Sequence, residues 1–268
     1  MKILNIIVFY ENREEIEKYI TDIFDISNGN VDIAVIVNRD INNNVEHLKE
    51  YIKRKSIENI FFFEYGMNVG YLNAMLKTIQ LIDLSKYKYI ILSNTDIKYP
   101  KPDFFNLLLA RNYNPDVGCI APSVFSTHTK SYSNPFYINR ISKKKLQTLV
   151  KTYSHPRIGQ FYVFLSHIKS SLKKSFKQNS CYVYIPHGSY MIFTRDFIEL
   201  IRGYEYGTRL YCEESCIGEL LIKNKLKCFY DAGIEVNHEE STITSKINYK
   251  EKFSLHKESL NYIIREFY

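Results

Sequence analysis

The chain has 268 residues, of which 45% are hydrophobic and 24% are charged, with a formal net charge of +7, as expected of a folded protein with a sizeable core. No run approaches the roughly 18 apolar residues of a membrane span, and the start "MKILNIIVFYENREEIEKY" lacks a small-residue cleavage site, so we expect no secretory signal. The five cysteines are odd in number and scattered, which favours a reduced, cytosolic protein over a disulfide scaffold.

The first part of the chain alternates between strand and helix patterns. Continuous apolar runs predict strands at 2–10, 31–38, 60–65, 87–97 and 116–125, and segments with apolar residues at helical spacing lie between the first four. This alternation predicts an α/β domain with a mostly parallel central sheet flanked by helices. Ligands bind at the carboxyl ends of strands in such sheets, so we expect the chemistry at "YEN", "NRD", "YGMN" and "SNTD".

A basic segment follows the fifth predicted strand. Between Asp116 and Asp196 there is no acidic residue, but there are 12 of the 36 lysines and arginines; the remaining 24 basic and 29 acidic residues leave the rest of the chain net negative. "KKKLQTLVKTY" and "FYVFLSHIKSSLKKSFK" have helical spacing and predict a basic helical insert over 126–180. It is either a pair of solvated helices or a surface, over 130–180, that binds anionic membrane through Phe161, Tyr162, Phe164 and Leu165.

The segment "SNTDIKYP" carries a carboxylate at the end of an apolar strand. Asp96 in this position suits Mg²⁺ or Mn²⁺, which takes oxygen ligands and bridges a diphosphate. The alternative is an ordinary turn, because Asn and Asp are common turn residues. Further along, His238 ends a predicted strand and is either a structural histidine or a further ligand of the same cation.

Two adjacent acids stand out in "LYCEESCIGELL". Glu213 and Glu214 either favour a helix start through the helix dipole or provide an active-site base. Cys212 and Cys216 beside them suggest a metal site, but thiolates are soft ligands where a hard cation wants oxygen, so packing is the better interpretation.

Taken in order, these segments resemble the family 2 glycosyltransferases with a GT-A (Rossmann-like) fold, in the rhamnosyltransferase-like subgroup. "IIVFYEN" is similar to that family's first strand, "NVGYLNAM" to its N-x-G-[FY] turn, and "ILSNTDI" to its L-x-N-x-D version of the D-x-D metal motif. The block from "IPHGSYMIF" to "VNHEES" is similar to the family's longest block, where a glycine, an acidic pair and a histidine follow one another. The resemblance covers roughly residues 3 to 245.

The resemblance implies an inverting, metal-dependent transfer of a hexosyl or rhamnosyl group from a nucleotide diphosphate sugar. Glu214 would be the general base, with Glu213 as the alternative, and Asp96 and His238 would hold Mn²⁺ or Mg²⁺. The implied nucleotide-sugar pocket consists of Tyr10, Asn12, Asn38, Asn68, Gly70, Asn94, Asp96 and Gly188. Asn38 stands where the family usually has a base-contacting aspartate, and the acidic pair is Glu-Glu instead of Glu-Asp.

The resemblance also implies a division of the chain and a set of partners. Residues 1–125 would form the nucleotide-sugar half, 126–180 the insert, 181–245 the acceptor-side catalytic half, and 246–268 a C-terminal helix. The expected acceptor is a glycan or lipid-linked glycan of bacterial capsule, lipopolysaccharide or O-antigen, used in the cytoplasm or peripherally on the inner membrane face. We expect no nucleic-acid partner; the alternative is a non-catalytic protein that binds nucleotide sugars, or nucleic acid through the insert.

Overall fold

One β-sheet runs through the computed structural model, which describes residues 1–40, 43–172, 176–240 and 248–268. Over these residues the sheet has ten strands. They are β1 Lys2–Tyr10, β2 Val31–Arg39, β3 Ile60–Glu64, β4 Tyr87–Ser93, β5 Ile97–Lys98, β6 Val117–Ser126, β7 Ser131–Tyr132, β8 Cys181–Val183, β9 Tyr190–Thr194 and β10 Lys227–His238.

The sheet is mixed, with the order β3-β2-β1-β4-β9-β6-β10-β5. The first four strands in this order are parallel, as the alternating pattern predicts. Strand β9 then enters antiparallel to both β4 and β6, while β6 and β10 are again parallel. The predicted strand 87–97 ends at Ser93, and its last residue belongs to β5, which pairs antiparallel with β10 at the far edge.

Helices cover both faces of the sheet, because successive strand residues point to opposite sides. Leu4 and Ile6 join one core cluster and Ile3 and Ile7 the other. The helices are α1 Arg13–Ser27, α2 Asn44–Arg54, α3 Tyr71–Thr78, α4 Phe104–Ala110, α5 Lys143–Tyr153, α6 Pro156–Leu172, α7 Arg195–Leu200, α8 Glu213–Lys223 and α9 Tyr249–Phe267. Helices α1, α2 and α4 line the second cluster, and α3, α5, α7, α8 and α9 line the first.

The basic insert is helical, as predicted, and packs on the C-terminal helix. Helices α5 and α6 both contact α9. Among residues 156–166 of α6, Gly159 is the one that is buried. A Cβ at this position would lie 2.8 Å from Cε2 of Phe253 on α9. No helix in the described part of the chain is long and apolar enough to cross a membrane. The predicted boundary at 245 falls in 241–247, outside the described residues.

Candidate active site

The pairing of β4 with β9 joins the two halves of the site. Ser93 is opposite Tyr190, and beyond that pair the backbone N–H of Asn94 donates to the carbonyl oxygen of Ser189 at 2.9 Å. The loop that carries Asp96 therefore lies beside the loop that carries Gly188.

Asp96 and His238 face each other at the edge of the sheet. Asp96 is buried, and its Oδ1 lies 3.3 Å from Nε2 of His238, because His238 pairs with the neighbouring Ile97 across β5 and β10. Nδ1 of His238 is buried without a hydrogen-bond partner among the described residues. Those residues contain no group of three or more His, Cys, Asp or Glu side chains placed to hold a metal ion. One carboxylate and one imidazole suit a divalent cation whose other ligands are diphosphate oxygens.

The acidic pair stands at the first two positions of α8. Glu213 is buried, and its Oε1 accepts the backbone N–H of Tyr211 at 2.9 Å. Burial and the neighbouring charge of Glu214 raise the pKa of Glu213 to about 8. Burial also raises the pKa of Glu214, which accepts a backbone hydrogen bond from Gly188. Because its pKa is about 8, Glu213 holds a proton at neutral pH.

Gly188 leaves room for the Glu214 carboxylate. A Cβ at this position would lie 2.1 Å from Oε1 of Glu214, so the absence of a side chain lets the carboxylate reach the loop. This contact brings together two predicted site residues from the C-terminal part of the chain.

Tyr71 lies near both the acidic pair and Asp96, and the sequence analysis did not identify it. Its hydroxyl donates to the carbonyl oxygen of Gly188 at 3.3 Å. Burial raises the pKa of Tyr71 well above its ordinary value, and the charges of Glu213, Asp96 and Glu214 add to the increase. The available signal was its place in "NVGYLNAM", directly after the turn glycine.

Asn38 and Asn68 shape the turn before α3. Asn38 is buried; its Nδ2 donates to the carbonyl oxygen of Gly70 at 3.0 Å, and its Oδ1 accepts the N–H of Val69 at 3.2 Å. Oδ1 of Asn68 accepts the N–H of Gly70 at 2.9 Å. Gly70 has a φ of +88°, and a Cβ there would lie 2.1 Å from the carbonyl oxygen of Arg209, so this position requires glycine. Contact of Asn38 with a nucleobase stays a prediction.

Tyr10 and Asn12 lie at the carboxyl end of β1. Arg39 Nη1 donates to the hydroxyl of Tyr10 at 3.1 Å. Asn12 caps α1, with its Oδ1 accepting the N–H of Glu15 at 3.4 Å and its Nδ2 donating to the Glu15 carboxylate. The hydroxyl of Thr95 donates to the same carboxylate, so Glu15 connects the start of α1 with the segment that carries Asp96.

His187 is a second residue that sequence reasoning missed, although it lies in "IPHGSYMIF". Its Nδ1 accepts the backbone N–H of Ser189 at 3.3 Å and lies 2.9 Å from the hydroxyl oxygen of the same residue, so Nε2 is the ring nitrogen left to face a ligand. Burial and the nearby His238 lower the pKa of His187 to about 4, so the ring is neutral at neutral pH. The ring centroids of His187 and His238 are 5.8 Å apart.

Comparison with solved structures identifies the fold as the GT-A fold of glycosyltransferases. The mannosyltransferase PcManGT from Pyrobaculum calidifontis, in complex with GDP-Man and Mn²⁺, superposes with a TM-score of 0.58 at 10% identity, over 98% of this chain and 72% of that one. GalNAc-T7 with UDP, GalNAc and Mn²⁺ superposes with a TM-score of 0.59 at 13% identity, over 89% of this chain and 44% of that one. No protein-family model and no curated protein sequence matches the chain.

Replacing Glu213 with glutamine is expected to stabilise the fold at alkaline pH. The folded protein retains the Glu213 proton up to about pH 8, whereas the unfolded chain releases it near pH 4.5, so the wild-type free energy of unfolding falls as pH rises through this window. The glutamine variant has no proton to release here, so its free energy of unfolding does not fall in this way. Near pH 8 the variant should therefore be more stable than the wild type by on the order of 3 kcal/mol. Urea unfolding at about pH 5 and about pH 8 measures the difference; an equal effect at both values would contradict the raised pKa.

Proposed function

We propose that the protein is an inverting, metal-dependent glycosyltransferase that moves a sugar from a nucleotide diphosphate donor to a hydroxyl group of a glycan or lipid-linked glycan. The observation that carries this proposal is the acidic pair at the start of α8, which is held against Gly188 while the neighbouring loop places Asp96 against His238. The GT-A neighbours that hold GDP-Man, or UDP and GalNAc, with Mn²⁺ support this class of donor and cofactor.

Glu214 is the proposed general base. Its carboxylate takes the proton of the acceptor hydroxyl as the oxygen attacks the anomeric carbon, and the bond from that carbon to the diphosphate oxygen breaks on the opposite face. Glu213 stays protonated beside it, so a single negative charge faces the acceptor. The dry surroundings raise the pKa of Glu214, which makes it a stronger base than an exposed carboxylate.

Asp96 and His238 are the proposed ligands of Mn²⁺ or Mg²⁺, which, when bound, neutralises the charge on the leaving diphosphate. Neutral His187 presents its Nε2 proton near the same edge and suits a diphosphate oxygen as hydrogen-bond acceptor. The proposed nucleotide-sugar pocket lies along the carboxyl ends of β1 to β4 and consists of Tyr10, Asn12, Asn38, Asn68, Gly70 and Asn94.

We further propose that the donor sugar is a hexose or rhamnose and that the product is a bacterial surface polysaccharide, made at the inner face of the cytoplasmic membrane. In this proposal residues 1–125 bind the donor and 181–245 bind the acceptor. The support is the order of the motifs along the chain, together with the contact between Asn94 and Ser189 that joins the two parts.

Two variants separate catalysis from donor binding. Glu214→Gln should reduce transfer by about 10²–10⁴-fold, because it removes the base, while the donor still raises the melting temperature in the presence of Mn²⁺. Asp96→Ala should abolish the Mn²⁺-dependent part of that shift. Melting curves with a panel of sugar nucleotides, followed by assays of transfer and donor hydrolysis, measure both.

Glu258→Gln is the matched control, because this glutamate is exposed on α9. The substitution should change neither the rate of transfer nor the donor-induced shift in melting temperature. Gly188→Ala supplies a second test, since its Cβ would displace the Glu214 carboxylate without removing it. Wild-type turnover of Glu214→Gln would indicate a non-catalytic binder of nucleotide sugars.

The exposed apolar side chains of helix α6 support the proposal that the protein binds an anionic membrane. Phe161 is 61% exposed, Phe164 is 60% exposed, and Ile158, Tyr162 and Leu165 on the same helix are also exposed. The segment from 117 to 195 contains no acidic residue, and Lys144 and Lys151 on α5 are exposed. Exposed apolar side chains within a cationic segment suit the interface of a bilayer with anionic headgroups.

Vesicle binding tests this partner. The wild-type protein should sediment with vesicles that contain phosphatidylglycerol and less with pure phosphatidylcholine, with a loss at high salt. The double variant Phe161→Ser/Phe164→Ser should bind at least about tenfold less, because it removes the apolar contribution. Phe24→Ser, at an exposed phenylalanine of α1, is the control. Equal binding of all three proteins would contradict the proposal, and strong salt-dependent binding to nucleic acid would favour the alternative partner.

A further inference from the structure

The turn that leads into the acidic pair has an unusual backbone. Tyr211 has a φ of +72° and Cys212 a φ of +61°, and both precede Glu213 directly. Two consecutive non-glycine residues in the left-handed region persist only when the surrounding contacts hold them, and such residues cluster at functional sites. The contacts around this turn therefore decide where the acidic pair stands.

The C-terminal helix α9 supplies several of these contacts. Ser259 donates its hydroxyl proton to the carbonyl oxygen of Leu210 at 2.6 Å, and its Oγ lies 2.9 Å from Oγ1 of Thr208. One turn earlier on α9, the ring of His256 stacks on Tyr211, with centroids 3.8 Å apart and planes inclined by 18°. From the other side, Tyr206 donates its hydroxyl proton to the carbonyl oxygen of Tyr211 at 2.5 Å.

The stack extends beyond His256 into the insert. His256 also stacks on Tyr153 of α5, at 5.1 Å and 26°, so its ring lies between two tyrosines. Tyr153 in turn stacks on Phe253 at 5.3 Å and 20°. Burial and the nearby Lys252 lower the pKa of His256 to about 4, which keeps the ring neutral at neutral pH. Because the His256 ring is neutral, its contacts with Tyr153 and Tyr211 are stacking contacts and not ionic ones.

The hydroxyl of Tyr211 does not take part in holding the turn. It is buried and has no hydrogen-bond partner among the residues that the structure describes. The backbone N–H of Tyr211 is the group that reaches the site, because it donates to Oε1 of Glu213 at 2.9 Å. The ring of Tyr211 fixes the residue, and its N–H fixes the carboxyl group.

We propose that His256 is a positioning residue: by stacking on Tyr211 it holds the left-handed turn, and through the Tyr211 N–H it holds the acidic pair in place for transfer. This inference rests on the proposed glycosyltransferase function. It assigns to α9 and α5, which contribute none of the residues in the proposed chemistry, the task of orienting Glu213 and its neighbour Glu214.

The test compares substitutions that remove the ring with substitutions that keep it. His256→Ala should lower kcat by at least about tenfold, because a displaced catalytic group loses rate steeply with distance, while the KM for the donor changes by less than about twofold. His256→Phe keeps a flat ring and should restore kcat to within about threefold of the wild type. Glu258→Ala, at an exposed residue of the same helix, is the control.

Amide hydrogen exchange on the same variants tests whether His256 holds the turn at Tyr211, and this measurement does not depend on activity. The Tyr211 amide should exchange faster in His256→Ala and at the wild-type rate in His256→Phe. Wild-type kcat and exchange in His256→Ala would overturn the inference. So would a fall in donor binding and melting temperature that accounts for the whole loss of activity, because that would make the role merely structural. Inactivity of the wild type with every donor would instead refute the proposed function, and the exchange result would still decide the role of His256.

Discussion

The antiparallel pairing of β4 with β9 is the interaction on which the site depends. The two strands come from distant parts of the chain, and their register, from Tyr89 opposite Thr194 to Ser93 opposite Tyr190, fixes the loops that follow β4 and precede β9. Those loops carry Asp96 and Gly188. Glu214 then meets Gly188, and His238 meets Asp96 across β5 and β10, so that the proposed base and the proposed metal ligands are located through strand pairing and a glycine contact.

Such a site concentrates negative charge in surroundings with little water. Ionised carboxylates repel one another more strongly in a buried site than on the surface, and the raised pKa of Glu213 keeps that group protonated at neutral pH. The negative charge that remains at the site calls for cationic or proton-donating ligands. An acceptor hydroxyl and a cation-bound diphosphate are ligands of these two kinds, which is why the charge distribution and the proposed reaction agree.

The sequence predicts most of the elements but not their directions. Apolar runs and helical spacing indicate β1 to β4, β6 and the insert helices, because these features are local. The direction of β9 depends on which distant strand it pairs with, and short β5 exists only through its pairing with β10. Asp96, His238 and the acidic pair are predicted from residue type and order, and their roles stay proposals. His187 and His256 were missed because neutral histidines in ring contacts leave no pattern in the sequence.

Helix α9 stands between the exposed helix and the acidic pair. On one side Phe253 packs against Gly159, which has no side chain and lets α6 approach closely. On the other side His256 packs against Tyr211, and Tyr153 contacts both α9 rings. The helix with the exposed apolar side chains and the turn before the acidic pair therefore both pack on α9. A change in the packing of α9 would act on both, although α9 itself contributes none of the residues in the proposed chemistry.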